Sequence, residues 1–88
     1  LCVDYNAPEA GYAESLMFLF DGGSLTEAQE AAIRLPPGEL SEWRFCELPE
    51  ALRLLDPRVG RRLAAVVDGT QLRHGLYLED QTRPAAER

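Results

Sequence analysis

A run of five large apolar side chains, Leu16-Met17-Phe18-Leu19-Phe20, most constrains what this chain can fold into. It is far short of the roughly 20 residues needed to cross a bilayer, so it reads as a strand rather than a span. Asp21-Gly22-Gly23 ends it, which sets the predicted strand at residues 15–21. Its apolarity is continuous rather than alternating, so both faces are expected to be buried, as in a sheet covered by helices.

Around this strand the chain reads as mixed α and β. Residues 1–5 form a first predicted strand, followed by a Pro- and Gly-containing loop through Gly11. Residues 24–35 suit two conformations, and the favoured one is a turn over 27–30 followed by a short strand stopped by Pro36-Pro37. In the predicted strand at 39–46, Trp43 and Phe45 share one face while Glu42, Arg44 and Cys46 share the other. Residues 48–55 read as a short helix with Pro49 in its first turn. Asp56 is placed to cap a second helix with Pro57 at its first position. Val59, Leu63, Val66 and Val67 form its apolar stripe and Gly69 its stop. Residues 76–79 give a last strand, and 81–88 a frayed tail. Strands first, two helices near the end and a closing strand predict an α+β fold with a largely buried sheet. A strand that begins at the first residue, with no turn before it, carries the expectation that these residues continue a fold begun upstream.

Charge and cysteines narrow the partners. Fifteen acidic against nine basic residues give a formal charge of −6. Such a balance disfavours a nucleic acid polymer as partner, since phosphates repel an acidic surface. Cys2 and Cys46 form no CxxC, and His74 has no ligand partner beside it, so no zinc site is expected. No secretion signal or membrane segment is recognised, and a cytoplasmic location is the default expectation.

The chemistry-bearing residues are few. No GxGxxG, P-loop, GxSxG or HExxH occurs. Glu39 and Glu42 flank Leu40-Ser41 ahead of the aromatic segment and are the candidate auxiliary acids; a solvated loop is the other reading of the pair. Tyr5, Phe18, Phe20 and Trp43 are the candidate substrate-binding residues, able to stack a base or line a pocket, or to serve simply as core. No metal ligand is assigned.

Several segments together resemble the later half of a Nudix hydrolase, in particular the actinobacterial members. These are residues 1–6 and Pro8, then Glu14-Ser15-Leu16-Met17-Phe18-Leu19-Phe20-Asp21-Gly22-Gly23, and Ile33-Arg34-Leu35-Pro36 followed by Glu39-Leu40-Ser41-Glu42-Trp43-Arg44-Phe45. The Pro57-Arg58-Val59 and Arg61-Arg62-Leu63 helix and Leu76-Tyr77-Leu78-Glu79-Asp80 complete the likeness. It implies an α/β/α sandwich, with residues 1–80 as the C-terminal portion of the domain: part of the mixed sheet and two C-terminal helices. It also implies Mg²⁺-dependent cleavage of a diphosphate linkage in small nucleoside diphosphate derivatives. The family's catalytic signature, G-x5-E-x7-R-E-U-x-E-E-x-G-U with U apolar, fits at no Arg of this chain. Arg83 has Gly69 at the required distance, but Gly75 stands where the Glu belongs. The Mg²⁺ ligands are therefore expected upstream, and the chain alone is expected to be inactive. Association with the missing N-terminal part, or a homo-oligomer, would complete it. The alternative is a non-catalytic interaction module that keeps the sheet, its acidic balance suiting a basic protein and its first strand open to a partner strand.

Overall fold

The computed structural model describes residues 1–84. Its architecture is α+β, with a three-stranded sheet, a two-stranded hairpin and three short helices. The sheet contains β1 (Cys2–Asn6), β2 (Ser15–Leu19) and β5 (Leu76–Glu79), in the order β2-β1-β5. β1 pairs antiparallel with β2 and parallel with β5, so the first strand is central. It offers no free edge to a partner strand; the outer edges belong to β2 and β5.

The helical segments follow local rules. Thr26 caps α1 (Glu27–Ala31) through a reciprocal box: Thr26 Oγ1 accepts from the Gln29 N–H at 3.1 Å, and Gln29 Oε1 accepts from the Thr26 N–H at 2.8 Å. This helix replaces the turn expected at 27–30. The strand expected after it does not form: the Ala32 and Ile33 N–H groups bond back to carbonyls of α1, and a turn follows in which the Pro36 carbonyl accepts from the Glu39 and Leu40 N–H groups. α2 (Leu48–Leu54) starts with proline in its first turn, and α3 (Pro57–Ala65) is capped by Asp56, whose carboxylate accepts from the Arg58 N–H at 3.0 Å. Both agree with the sequence reading. Val66 ends α3 earlier than the apolar stripe suggested. Val67 enters β3 (Val67–Asp68), which pairs with β4 (Gln71–Leu72). Gly69, expected to stop the helix, lies between these strands at φ 65°, a left-handed turn position that suits glycine.

The core sits on one face of the sheet. Cys2 from β1 and Leu78 from β5 pack with Val66, and Leu1, Leu19, Leu63, Ala65 and Leu76 surround them. Leu78 and Val66 are fully buried. Because side chains alternate along a strand, Cys2, Asp4 and Asn6 share this covered face while Val3 and Tyr5 point to the other. The covered face of β1 is thus mostly polar. Asp4 is fully buried, and Arg62 of α3 reaches it through an Nε–Oδ2 contact of 2.8 Å. Gln81 closes the network. Its backbone N–H donates to Asp4 Oδ1 at 3.0 Å, and its Nε2 donates to Asp4 Oδ2 at 3.2 Å and to Asn6 Oδ1 at 2.6 Å. Gln81, placed by sequence at the head of a frayed tail, is instead buried. Asp80 and Gln81 adopt left-handed φ of 49° and 64°, which turns the chain back over β1. The rest of the expected tail reaches residues 85–88, outside the described residues.

Two further expectations are corrected. β2 is not buried on both faces: it is an edge strand whose Leu16, Met17 and Phe18 are exposed. No strand forms at 39–46 either. Residues 41–46 make no backbone–backbone hydrogen bond among the described residues. The alternating pattern is present there without a partner strand to complete it.

Candidate functional site

The sheet face turned away from α3 is the candidate site. Strand register builds it. Val3 of β1 lies beside Phe18 of β2 and Tyr77 of β5, and Tyr5 lies beside Leu16 and Glu79. Leu16, Phe18, Phe20 and Tyr77 are exposed, Phe20 by 78%. Phe18 and Phe20 stack in near-parallel fashion, with ring centroids 6.3 Å apart and an interplanar angle of 10°. They border a hollow of about 500 Å³ at the end of the sheet, lined by Leu1, Val3 and Tyr77 and also by Cys2, Leu19 and Leu76 from the core side. A second hollow, of about 440 Å³, lies between Tyr5, Glu14, Ser15 and Leu16. An aromatic wall of this kind can stack against a planar ring.

Carboxylates govern the polar chemistry of this face. The Tyr5 hydroxyl donates to Glu14 Oε2 at 2.7 Å, and that bond, more than its partial desolvation and the nearby negative charges, raises the phenol above its ordinary value. Tyr77 donates to Glu79 Oε2 at 3.0 Å, and its phenol is raised for the same first cause. Both tyrosines therefore hold their protons and act as donors. Arg62 is committed to Asp4 on the opposite face.

The structure brings together only some of the sequence candidates. Tyr5, Phe18 and Phe20 share the open face, Tyr5 at one end and the stacked pair at the other. Trp43 lines neither hollow. It packs edge-to-face on Phe45 at 5.5 Å between centroids and 87° between planes. Glu39 lies in the turn after Pro37 and borders a shallow hollow of about 270 Å³ with Gly38, Leu40 and Ser41; Glu42 is exposed outside that lining. Tyr77, Glu14 and Glu79, which lie with Tyr5 and Phe18 on this face, are not among the sequence candidates. The signal available for Tyr77 was its alternation with Leu76 and Leu78 in the last strand.

The donor set does not fit a Mg²⁺ site. Among the described residues, no three His, Cys, Asp or Glu side chains lie close enough together to hold a metal ion. Also among them, no helix is long and apolar enough to cross a membrane. Comparison with known proteins gives no match: no family model, no curated protein and no solved structure matches the chain.

Proposed function

We propose that this chain forms part of the sheet and one substrate wall of a Nudix-type hydrolase that cleaves a diphosphate linkage in nucleoside diphosphate derivatives. In this reading Mg²⁺ is held by a segment carrying the catalytic signature, and that segment packs on the open face to complete an α/β/α sandwich. The reading is supported chiefly by β1. This central strand turns Asp4 and Asn6 toward α3 and Val3 and Tyr5 away from it, so its apolar side is the uncovered one. A central strand with apolar groups on its open face is built for a sheet covered on both sides. The sequence resemblance supplies the reaction; the open face supplies a place for the missing layer.

The chain's own residues then have defined tasks. Phe18, Phe20 and Tyr77 offer ring faces and exclude water, and Tyr5 and Tyr77 offer hydroxyl donors fixed by Glu14 and Glu79. Glu39 and Glu42 stay candidates for an auxiliary acid. They are exposed, so any such role requires the completed assembly to bring one of them to the reacting phosphate.

A second reading, the non-catalytic interaction module, rests on the exposed apolar side chains of β2 together with the formal charge of −6, which suits a basic protein partner. The two readings separate on one experiment. The coding DNA around these residues is read, and the polypeptide it encodes is assayed with Mg²⁺ and a panel of nucleoside diphosphate derivatives. An in-frame catalytic signature together with Mg²⁺-dependent cleavage supports the hydrolase. An inactive polypeptide without the signature supports the module.

A further inference from the structure

We infer that the outer edge of β2 is a docking site for the 39–46 segment of a second copy of this chain, exchanged reciprocally in a dimer. The inference concerns the outer edge of β2, whose Leu16 and Phe18 side chains also belong to the open face; it goes beyond the hydrolase reading and is argued from different observations.

The first observation is the edge itself. β2 pairs only with β1, and its sequence, Ser-Leu-Met-Phe-Leu, has no charge and no proline. Leu16, Met17 and Phe18 are all exposed on it. Exposed edges are ordinarily protected by charged side chains, proline, a bulge or a covering element, because unpaired N–H and C=O groups recruit other strands. This edge has no charge or proline to protect it.

The second observation is an occupant already shaped for it. Residues 41–46 have no backbone–backbone hydrogen bond among the described residues. Trp43 and Phe45 nevertheless meet at 5.5 Å, two positions apart, which places both rings on one side of the backbone as in a strand. Phe45 is 66% exposed. The chain therefore carries an unpaired edge and an unpaired alternating segment, and pairing them would satisfy both backbones.

The area is of the right order. Scaled by their exposures at roughly 200 Å² per large side chain, Leu16, Met17, Phe18, Leu40, Trp43 and Phe45 offer at most about 600 Å² per copy. Reciprocal exchange has at most about twice that to bury, close to the ~1,200 Å² at which stable interfaces begin, and the paired backbone adds to it. Two copies of charge −6 repel, so added salt should strengthen rather than weaken the dimer.

The test joins mass to hydrogen exchange over a range of concentrations. Sedimentation equilibrium should show the 9.8 kDa chain passing to twice that mass. Amides of residues 42–46 and of β2 should gain protection in step with it. The double substitution Trp43→Ser and Phe45→Ser should abolish both changes, while leaving protection of the β1–β5 amides as a sign of folding. Three results would overturn the inference. They are a monomer throughout, a dimer whose 42–46 amides exchange freely, and protection of those amides that is independent of concentration, which would mean pairing within one chain. None of these measurements involves hydrolysis, so failure here leaves the functional reading untouched, and the reverse also holds.

Discussion

Arg62 Nε stands 2.8 Å from Asp4 Oδ2 at a site where the Asp4 side chain has no solvent exposure and that of Arg62 only 8%. The pair joins α3 to the central strand across 58 positions of sequence. Removing one partner of a buried pair strands the other charge, which costs about 3–5 kcal/mol. Arg62→Met is therefore expected to lower the urea unfolding free energy by that order. Asp4→Leu combined with Arg62→Met should cost clearly less than the two single changes added together. Gln81→Ala removes two side-chain donors but keeps the backbone N–H bond to Asp4, and should cost about 1–3 kcal/mol.

Gly60 gives a prediction of opposite sign. It lies inside α3 against α2, and a Cβ built there would meet the Leu52 carbonyl oxygen at 3.6 Å, an ordinary contact. Since glycine weakens a helix interior, Gly60→Ala should stabilise by about 0.5–1 kcal/mol. Thermal unfolding of the two proteins measures it; a loss of stability would mean that the α2–α3 contact is tighter than described.

The local elements were legible in the sequence because their signals are local. Asp56-Pro57 marks the start of α3, the Leu76-Tyr77-Leu78-Glu79 run marks β5, and Pro49 marks the first turn of α2. The buried network was not legible. Asp4, Asn6, Arg62 and Gln81 are separated by up to 77 positions, and each alone reads as a surface residue. A trace was present in β1: its alternation sets Cys2, Asp4 and Asn6 against Val3 and Tyr5, and a polar set opposite an apolar one on a central strand requires a buried polar partner. The 39–46 segment failed for a different reason. Its period is that of a strand, but a strand needs an edge, and among the described residues it pairs with none. Of the open face, Tyr5, Phe18 and Phe20 stand out in the sequence, while Tyr77 joins them only through the parallel register of β5 on β1.

Tyr5 should respond to pH through Glu14. Its phenol is raised from the usual 10.0, chiefly by donating to that carboxylate. The folded value lies above the unfolded one, so the contact's contribution is complete below about pH 10 and is lost as pH rises through the raised value. Ultraviolet titration should show delayed tyrosinate formation, and Glu14→Gln should move the Tyr5 transition back down. An unchanged titration in that variant would remove the contact from the account.

The two cysteines should differ in reactivity. Cys2 is buried, and burial followed by the Asp4 charge pushes its thiol up from 9.0, while Cys46 is exposed. One thiol should react at once with a colorimetric disulfide reagent and the second only as the protein unfolds. Two equally fast thiols would contradict the packing of β1 against Leu78 and Val66.

The most direct test of the central claim is a Mg²⁺ titration of the 88-residue chain by calorimetry, coupled to an assay of diphosphate cleavage on the same samples. Under the proposed reading, in which the metal-holding carboxylates come from elsewhere, no stoichiometric Mg²⁺ binding and no cleavage by this chain are expected, and no change on Glu39→Ala or Glu42→Ala. Stoichiometric Mg²⁺ binding together with cleavage, both abolished by those substitutions, would contradict it.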